Sequence, residues 1–270
     1  MLRSLRELER YKVSATDGEV GSVADFLLDD DHWTVRYLVV ETGGFFAERR
    51  VLITPISFRQ VDWSTKQFHL TLTQERVKSS PNVDADKPVS RQHEMDYYGY
   101  YSYPYYWADA GLWGASAYPG TLATSGWYDA SAVNAKYAGD IHLRSVNEVR
   151  GYDIQGSDEA IGHVEDFIVD DETWEVQYLV VDTSNWWFGR KVLIAPRWAN
   201  AVSWEKRNVQ VGLNRQQIMN SPEWSPTVAI NREYEARLHK HYGRQAYWDD
   251  SKRRIQEPAS QRHHPGARPL

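Results

Sequence analysis

Residues 2–42 read LRSLRELERYKVSATDGEVGSVADFLLDDDHWTVRYLVVET, and residues 143–183 read LRSVNEVRGYDIQGSDEAIGHVEDFIVDDETWEVQYLVVDT. They are one pattern written twice. The offset is 141 residues and needs no gap from Leu2 to Pro81, and about 29 of those 80 positions are identical. A repeat must be found before anything else is read, because missing it misassigns the whole fold. The period is too long, and the copy number too low, for a solenoid. The chain is therefore a tandem duplication. The register continues from Val89-Ser90-Arg91-Gln92-His93-Glu94 onto Ile230-Asn231-Arg232-Glu233-Tyr234-Glu235. Each unit reads as about 80 residues plus a following arm, with no counterpart for residues from about 99 to 140. The expected division is a first domain at 1–81, an arm and linker at 82–141, a second domain at 142–222, and an arm and tail at 223–270.

Within a unit, Ser4-x-x-Glu7 and Ser145-x-x-Glu148 fit a capping box and predict a short opening helical turn. A strand is expected over 11–14 or 152–155, and another over 20–28 or 161–169, the first pair turned by Asp17-Gly18 in the first copy. Val35-Arg36-Tyr37-Leu38-Val39-Val40 and its copy at 176–181 end in continuous apolar runs, the mark of a strand buried on both faces. Further strands are expected at 49–53 and 190–194, each stopped by Pro55 or Pro196, and around 68–72 and 209–213. Thr73 and Asn214 are placed to cap a short helix. Five or so short strands in so small a unit predict a barrel, since closure removes exposed edges. The fold class is mainly β, with short helices.

YLVVETGGFFAERRVLITP and YLVVDTSNWWFGRKVLIAP, preceded by GSVADFLLD and IGHVEDFIVD, resemble the core signature of the PRC-barrel domain. The resemblance implies two tandem small antiparallel barrels joined by an aromatic-rich linker. The family includes the cytoplasmic domain of the photosynthetic reaction-centre H subunit and the C-terminal domain of the ribosome-maturation factor RimM. Neither the membrane helix of the first nor the additional N-terminal barrel of the second is expected here, so neither function carries over on fold alone.

Composition narrows the classes. The chain of 270 residues has a net charge of −6 and a pI near 5.9, against a duplex nucleic-acid binder with a general basic surface. It has no cysteine, which excludes thiol catalysis, disulfides and Cys-type zinc sites. No apolar run approaches the length of a membrane helix, and the N-terminus shows no secretory signal. The expected compartment is the cytoplasm. Twelve Trp and 17 Tyr are an excess, and ten of the tyrosines lie between Tyr97 and Tyr137.

Candidate sites follow. Asp25, Asp29, Asp30 and Asp31, with Asp166, Asp170, Asp171 and Glu172, are hard oxygen ligands, but they lack the spacing of an EF-hand and read as solvated turns. His239, His241, His263 and His264 do not make a zinc site, since residues two apart do not share a helix face. Nucleophile-elbow, phosphate-loop, dinucleotide and zinc-protease motifs are missing. No catalytic residue, metal or cofactor is expected, and the chain reads as a non-enzyme.

The aromatic hairpin tips are the stronger candidates. Phe45 and Phe46 align with Trp186 and Trp187, followed by Phe188. They either fold over their own barrel or form a contact, between barrels or with a partner. The arm at 230–243 predicts a helix capped by Asn231, with Ile230, Tyr234, Leu238 and Tyr242 on one stripe. Tyr234 and Leu238 are thereby candidate contact residues, on a barrel (the other copy's is one choice) or on a partner. The linker, with Lys136 as its one cation over 97–139, reads as a flexible aromatic segment clinging to surfaces. The basic tail from Ser251 offers at most weak peripheral contact with anionic lipid.

The function expected is a non-catalytic scaffold or adaptor binding another protein, with barrel–barrel contact inside the chain and homodimerisation left open. Two alternatives are an H-subunit-like peripheral regulator of light-driven electron transfer and a RimM-like RNA- or ribosome-associated factor.

Overall fold

The computed structural model describes residues 1–43, 49–81, 89–122, 142–183 and 190–248. The first unit runs β1 (Leu2–Ser4), α1 (Leu5–Leu8), β2 (Lys12–Ala15), β3 (Gly18–Asp29), β4 (Val35–Thr42), β5 (Arg50–Ile53), β6 (Phe58–Asp62), β7 (Gln67–Leu70) and α2 (Gln74–Lys78). After it come α3 (Arg91–Tyr101) and α4 (Pro119–Leu122). The second unit repeats the first as β8 (Leu143–Ser145), α5 (Val146–Val149), β9 (Asp153–Gln155), β10 (Ala160–Asp170), β11 (Val176–Asp182), β12 (Lys191–Ile194), β13 (Ala199–Ser203), β14 (Asn208–Val211) and α6 (Arg215–Met219). α7 (Arg232–His241) is its arm.

The predicted caps form. Ser4 and Ser145 accept from the backbone N–H of Glu7 and Glu148, and Thr73 from that of Arg76. The full reciprocal box is made by Asn214 and Gln217. β4 and β11 are buried on both faces, as their apolar runs require.

Two expectations need correction. The sheets are mixed rather than wholly antiparallel, because β2 pairs with β7, and β9 with β14, in parallel. Nor do they close by hydrogen bonds among the described residues. Their paths run β5-β4-β3-β2-β7-β6 and β12-β11-β10-β9-β14-β13. The chain leaves β5 and β12 through tight turns at Pro55–Ser57 and Pro196–Trp198, where proline removes a ladder donor and breaks the pairing.

Each sheet has a seventh strand, and it comes from the other half. β1 pairs with β10, and β8 with β3. Leu2, Arg3 and Ser4 face Asp170, Val169 and Ile168, while Leu143, Arg144 and Ser145 face Asp29, Leu28 and Leu27. The registers are identical under the 141-residue offset. The two halves thus exchange strands reciprocally, the mark of a self-complementary twofold contact.

Each arm covers the barrel of its own half. α7 packs on its own barrel: Trp198 lies 5.1 Å from His239 and 5.2 Å from Tyr242, ring to ring. α3 does the same, with Tyr37 edge-on to Tyr97 at 5.2 Å. Strand exchange ties the pair together, and the first arm adds Glu94 beside His142 of the second half. The described part of the linker is not a loose segment either. Tyr97, Tyr98, Tyr101, Tyr106 and Trp113 are all buried and join the core. Aromatics carry large apolar area at little conformational cost, so a Tyr-rich stretch can build a cap as readily as a tether.

Candidate interaction interface

The acidic clusters lie along the seam between the halves. Asp25 accepts from the Ser145 hydroxyl at 2.5 Å and the Asn147 N–H at 3.1 Å. Asp166 accepts from Ser4 at 2.5 Å and the Arg6 N–H at 3.1 Å. Each carboxylate therefore caps the opening helix of the opposite half. Burial pushes the Asp25 carboxyl up despite these bonds. Arg3 pairs with Asp171 at 2.7 Å and Arg144 with Asp30 at 3.4 Å. The turn residues are not simply solvated: Asp29 is 2% exposed and bonded to Arg36 at 2.5 Å. Burial opposes its charge, but the Arg36 guanidinium and hydrogen bonds from His32 outweigh it and hold the carboxyl down to about 2.

Trp33 and Trp174 complete the seam from left-handed backbone positions, φ 53° and 61°. Each indole crosses into the other half, Trp33 to 6.0 Å from Trp204 and Trp174 to 5.3 Å from Phe58. Their carbonyls accept from Val176 and Val35, both at 2.8 Å.

The aromatic tips Phe45, Phe46, Trp186, Trp187 and Phe188 lie outside the described residues. The bases of both loops are described, and they are fixed. Thr42 bonds across to Arg49, and Thr183 to Arg190, through backbone and hydroxyl alike. Arg190 also donates to the carbonyls of Met219 and Ser221 at 2.6 and 2.7 Å, and Arg49 to that of Val77 at 3.0 Å. Tyr234 and Leu238 are buried, the Tyr234 hydroxyl donating to the Pro222 carbonyl at 3.1 Å. These two serve the contact of arm and barrel within the second half.

Sequence reasoning missed a duplicated buried network. Glu94, 1% exposed, accepts from Tyr37, Tyr106 and Arg91, each at 3.0 Å, and lies 2.8 Å from His142. Glu235 accepts from Tyr178 and Tyr247 at 2.9 Å and from Arg232 at 3.0 Å. Arg91 stands 4.2 Å over Trp107, and Arg232 4.1 Å over Trp248. Burial raises the hydroxyl pKa of all four tyrosines, that of Tyr247 to about 12. The signal was present: Tyr106-Trp107 and Tyr247-Trp248 stand 141 residues apart, so the repeat extends beyond residue 99. Beside the first network is a cleft of about 190 Å³ lined by Arg36, Arg91, Tyr106, Trp107 and His142 among others. Here the copies diverge, Arg36 being replaced by Gln177 and His142 by Met1.

Among the described residues no helix is long and apolar enough to cross a membrane. Comparison with known proteins adds two findings. The PRC-barrel domain family matches residues 2–76 and 142–214. A stretch of 74 residues is 32% identical to an uncharacterised protein of Deinococcus radiodurans. That stretch is 27% of this chain and 26% of the relative, so the chain spans about a quarter of the relative's length.

Proposed function

Because this chain belongs to the PRC-barrel domain family, we propose that it is a non-catalytic adaptor of the bacterial cytoplasm, which binds a protein partner through the aromatic residues at 45–46 and 186–188. The observation that carries the reading is the reciprocal exchange of β1 and β8. It fastens two like barrels into a pair, so two copies of one surface are held at a fixed spacing. A pre-organised pair loses less freedom on binding than two barrels on a string, and two linked contacts raise avidity without new chemistry. Residues 44–48 and 184–189 are the contact this reading favours. Large aromatics anchor interfaces, and the loop bases are tied down by Arg49 and Arg190.

The test is affinity capture from the native cytosol with the intact chain and with Trp186→Ser/Trp187→Ser, both checked for folding by circular dichroism. One dominant partner, lost with the folded variant, is the expected result. Equal capture by both chains would overturn the assignment of the surface.

A further inference from the structure

On a twofold seam, two positions meet their own counterparts. Here they are 34 with 175, joined as an isolated β-bridge, and 9 with 150, joined as an ion pair between Glu9 and Arg150. Both pairs differ by the repeat offset of 141. At such a position a true twofold would set identical side chains against each other. The duplicated chain instead sets an acid against a base. Arg150 also bonds to Asn147 at 2.7 Å and to Asp166 at 3.4 Å, so it is held at the centre of the seam. Both partners are partly buried, with side-chain exposures of 14% for Arg150 and 24% for Glu9.

We infer that the seam is a selective recognition surface, on which Glu9 and Arg150 make each barrel accept the other half and reject a second barrel of its own kind. A first barrel on another first barrel would bring Glu9 against Glu9. A second barrel on another second barrel would bring Arg150 against Arg150. Like charges placed together at a contact discriminate strongly against the wrong pairing. A further contact has diverged in the same sense. Arg6 bonds to the Glu165 carboxylate at 2.8 Å and to its carbonyl at 2.9 Å. The symmetric positions hold Asn147 and Ala24, so neither like pairing could reproduce the ion pair. The backbone exchange, by contrast, is common to both copies and cannot discriminate. The partner this surface fits is a barrel of opposite type: the other half of the chain, or crosswise, the complementary half of a second copy.

The full chain can be made to imitate both forbidden pairings. Arg150→Glu sets two acids on the axis, as a first–first pair would, and Glu9→Arg sets two bases there, as a second–second pair would. Hydrogen exchange of the β1 and β8 amides reads the opening of the seam. Each single reversal is expected to speed their exchange by about tenfold or more at low salt. The double reversal Glu9→Arg/Arg150→Glu is expected to restore protection to within about threefold of the parent. Unchanged exchange in the singles, or a double variant as open as the sum of the singles, would overturn the inference.

Discussion

The Ser145 hydroxyl, which caps the first helix of the second half, donates at 2.5 Å to Asp25 of the first half. Ser4 stands in the same relation to Asp166, also at 2.5 Å. One hydroxyl thus serves a local helix cap and the joint between barrels, so local order and pairing of the halves are coupled.

Asp25→Ala should therefore loosen the joint. It removes the acceptor for Ser145, Asn147 and Phe26. Part-buried donors left without their acceptor predict a loss of about 1–3 kcal/mol in urea unfolding. Asp31→Ala, on an exposed neighbour, should stay within about 0.5 kcal/mol.

The Asp29–Arg36 pair should make stability sensitive to acid. The folded carboxyl sits at about 2, below its ordinary 3.8, so the fold favours the charged form. That contribution is complete above the ordinary value and is lost as pH falls through about 4 toward 2. Asp29→Asn should flatten this part of the stability–pH curve measured by chemical denaturation. Arg36→Met leaves a buried carboxylate without its cation and should cost about 3–5 kcal/mol at neutral pH.

Two glycines are required by close backbone approach. A Cβ on Gly21 would stand 2.0 Å from the Glu41 carbonyl oxygen, and one on Gly162 2.0 Å from that of Asp182. Gly162→Ala should destabilise by about 1–3 kcal/mol, because the clash is with backbone that cannot swing away. Gly99 lies exposed within α3, with open space where a Cβ would go. Gly99→Ala should instead raise stability by about 0.5–1 kcal/mol through helix propensity. Thermal unfolding of both variants checks the opposite signs.

Cutting the covalent tie should not separate the halves. A protease site placed within residues 123–141, cleaved in the folded protein, should leave two fragments that co-elute in size exclusion. The strand exchange and crossed indoles hold them without the linker. Separation of the fragments at micromolar concentration would show the seam to be weaker than this.

Much of this was legible in the residues. The duplication, the doubly buried strands β4 and β11, the Ser and Thr caps and the proline-stopped strands follow from periodicity and local chemistry, and these act over a few residues. Tyr234 and Leu238 are buried on the stripe that their spacing marks out. Which barrel they cover is not legible, because a stripe of period 3.6 says that a face is covered and not by what. The Glu94 and Glu235 networks could have been found by following Tyr106-Trp107 onto Tyr247-Trp248, but nothing local marks a glutamate as buried.

The residues alone specify two copies of one β unit, with their strands, caps and turns. That Leu2–Ser4 completes the sheet of the second copy, and Leu143–Ser145 that of the first, emerges only in the folded pair. The reason is physical. A three-residue strand joins its sheet through backbone N–H and C=O groups that every residue carries, so its sequence cannot name which of two near-identical edges it will join. That choice is made by side chains that differ between the copies, Glu9 with Arg150 and Arg6 with Glu165, which lie far apart in the chain and meet only when both halves are folded.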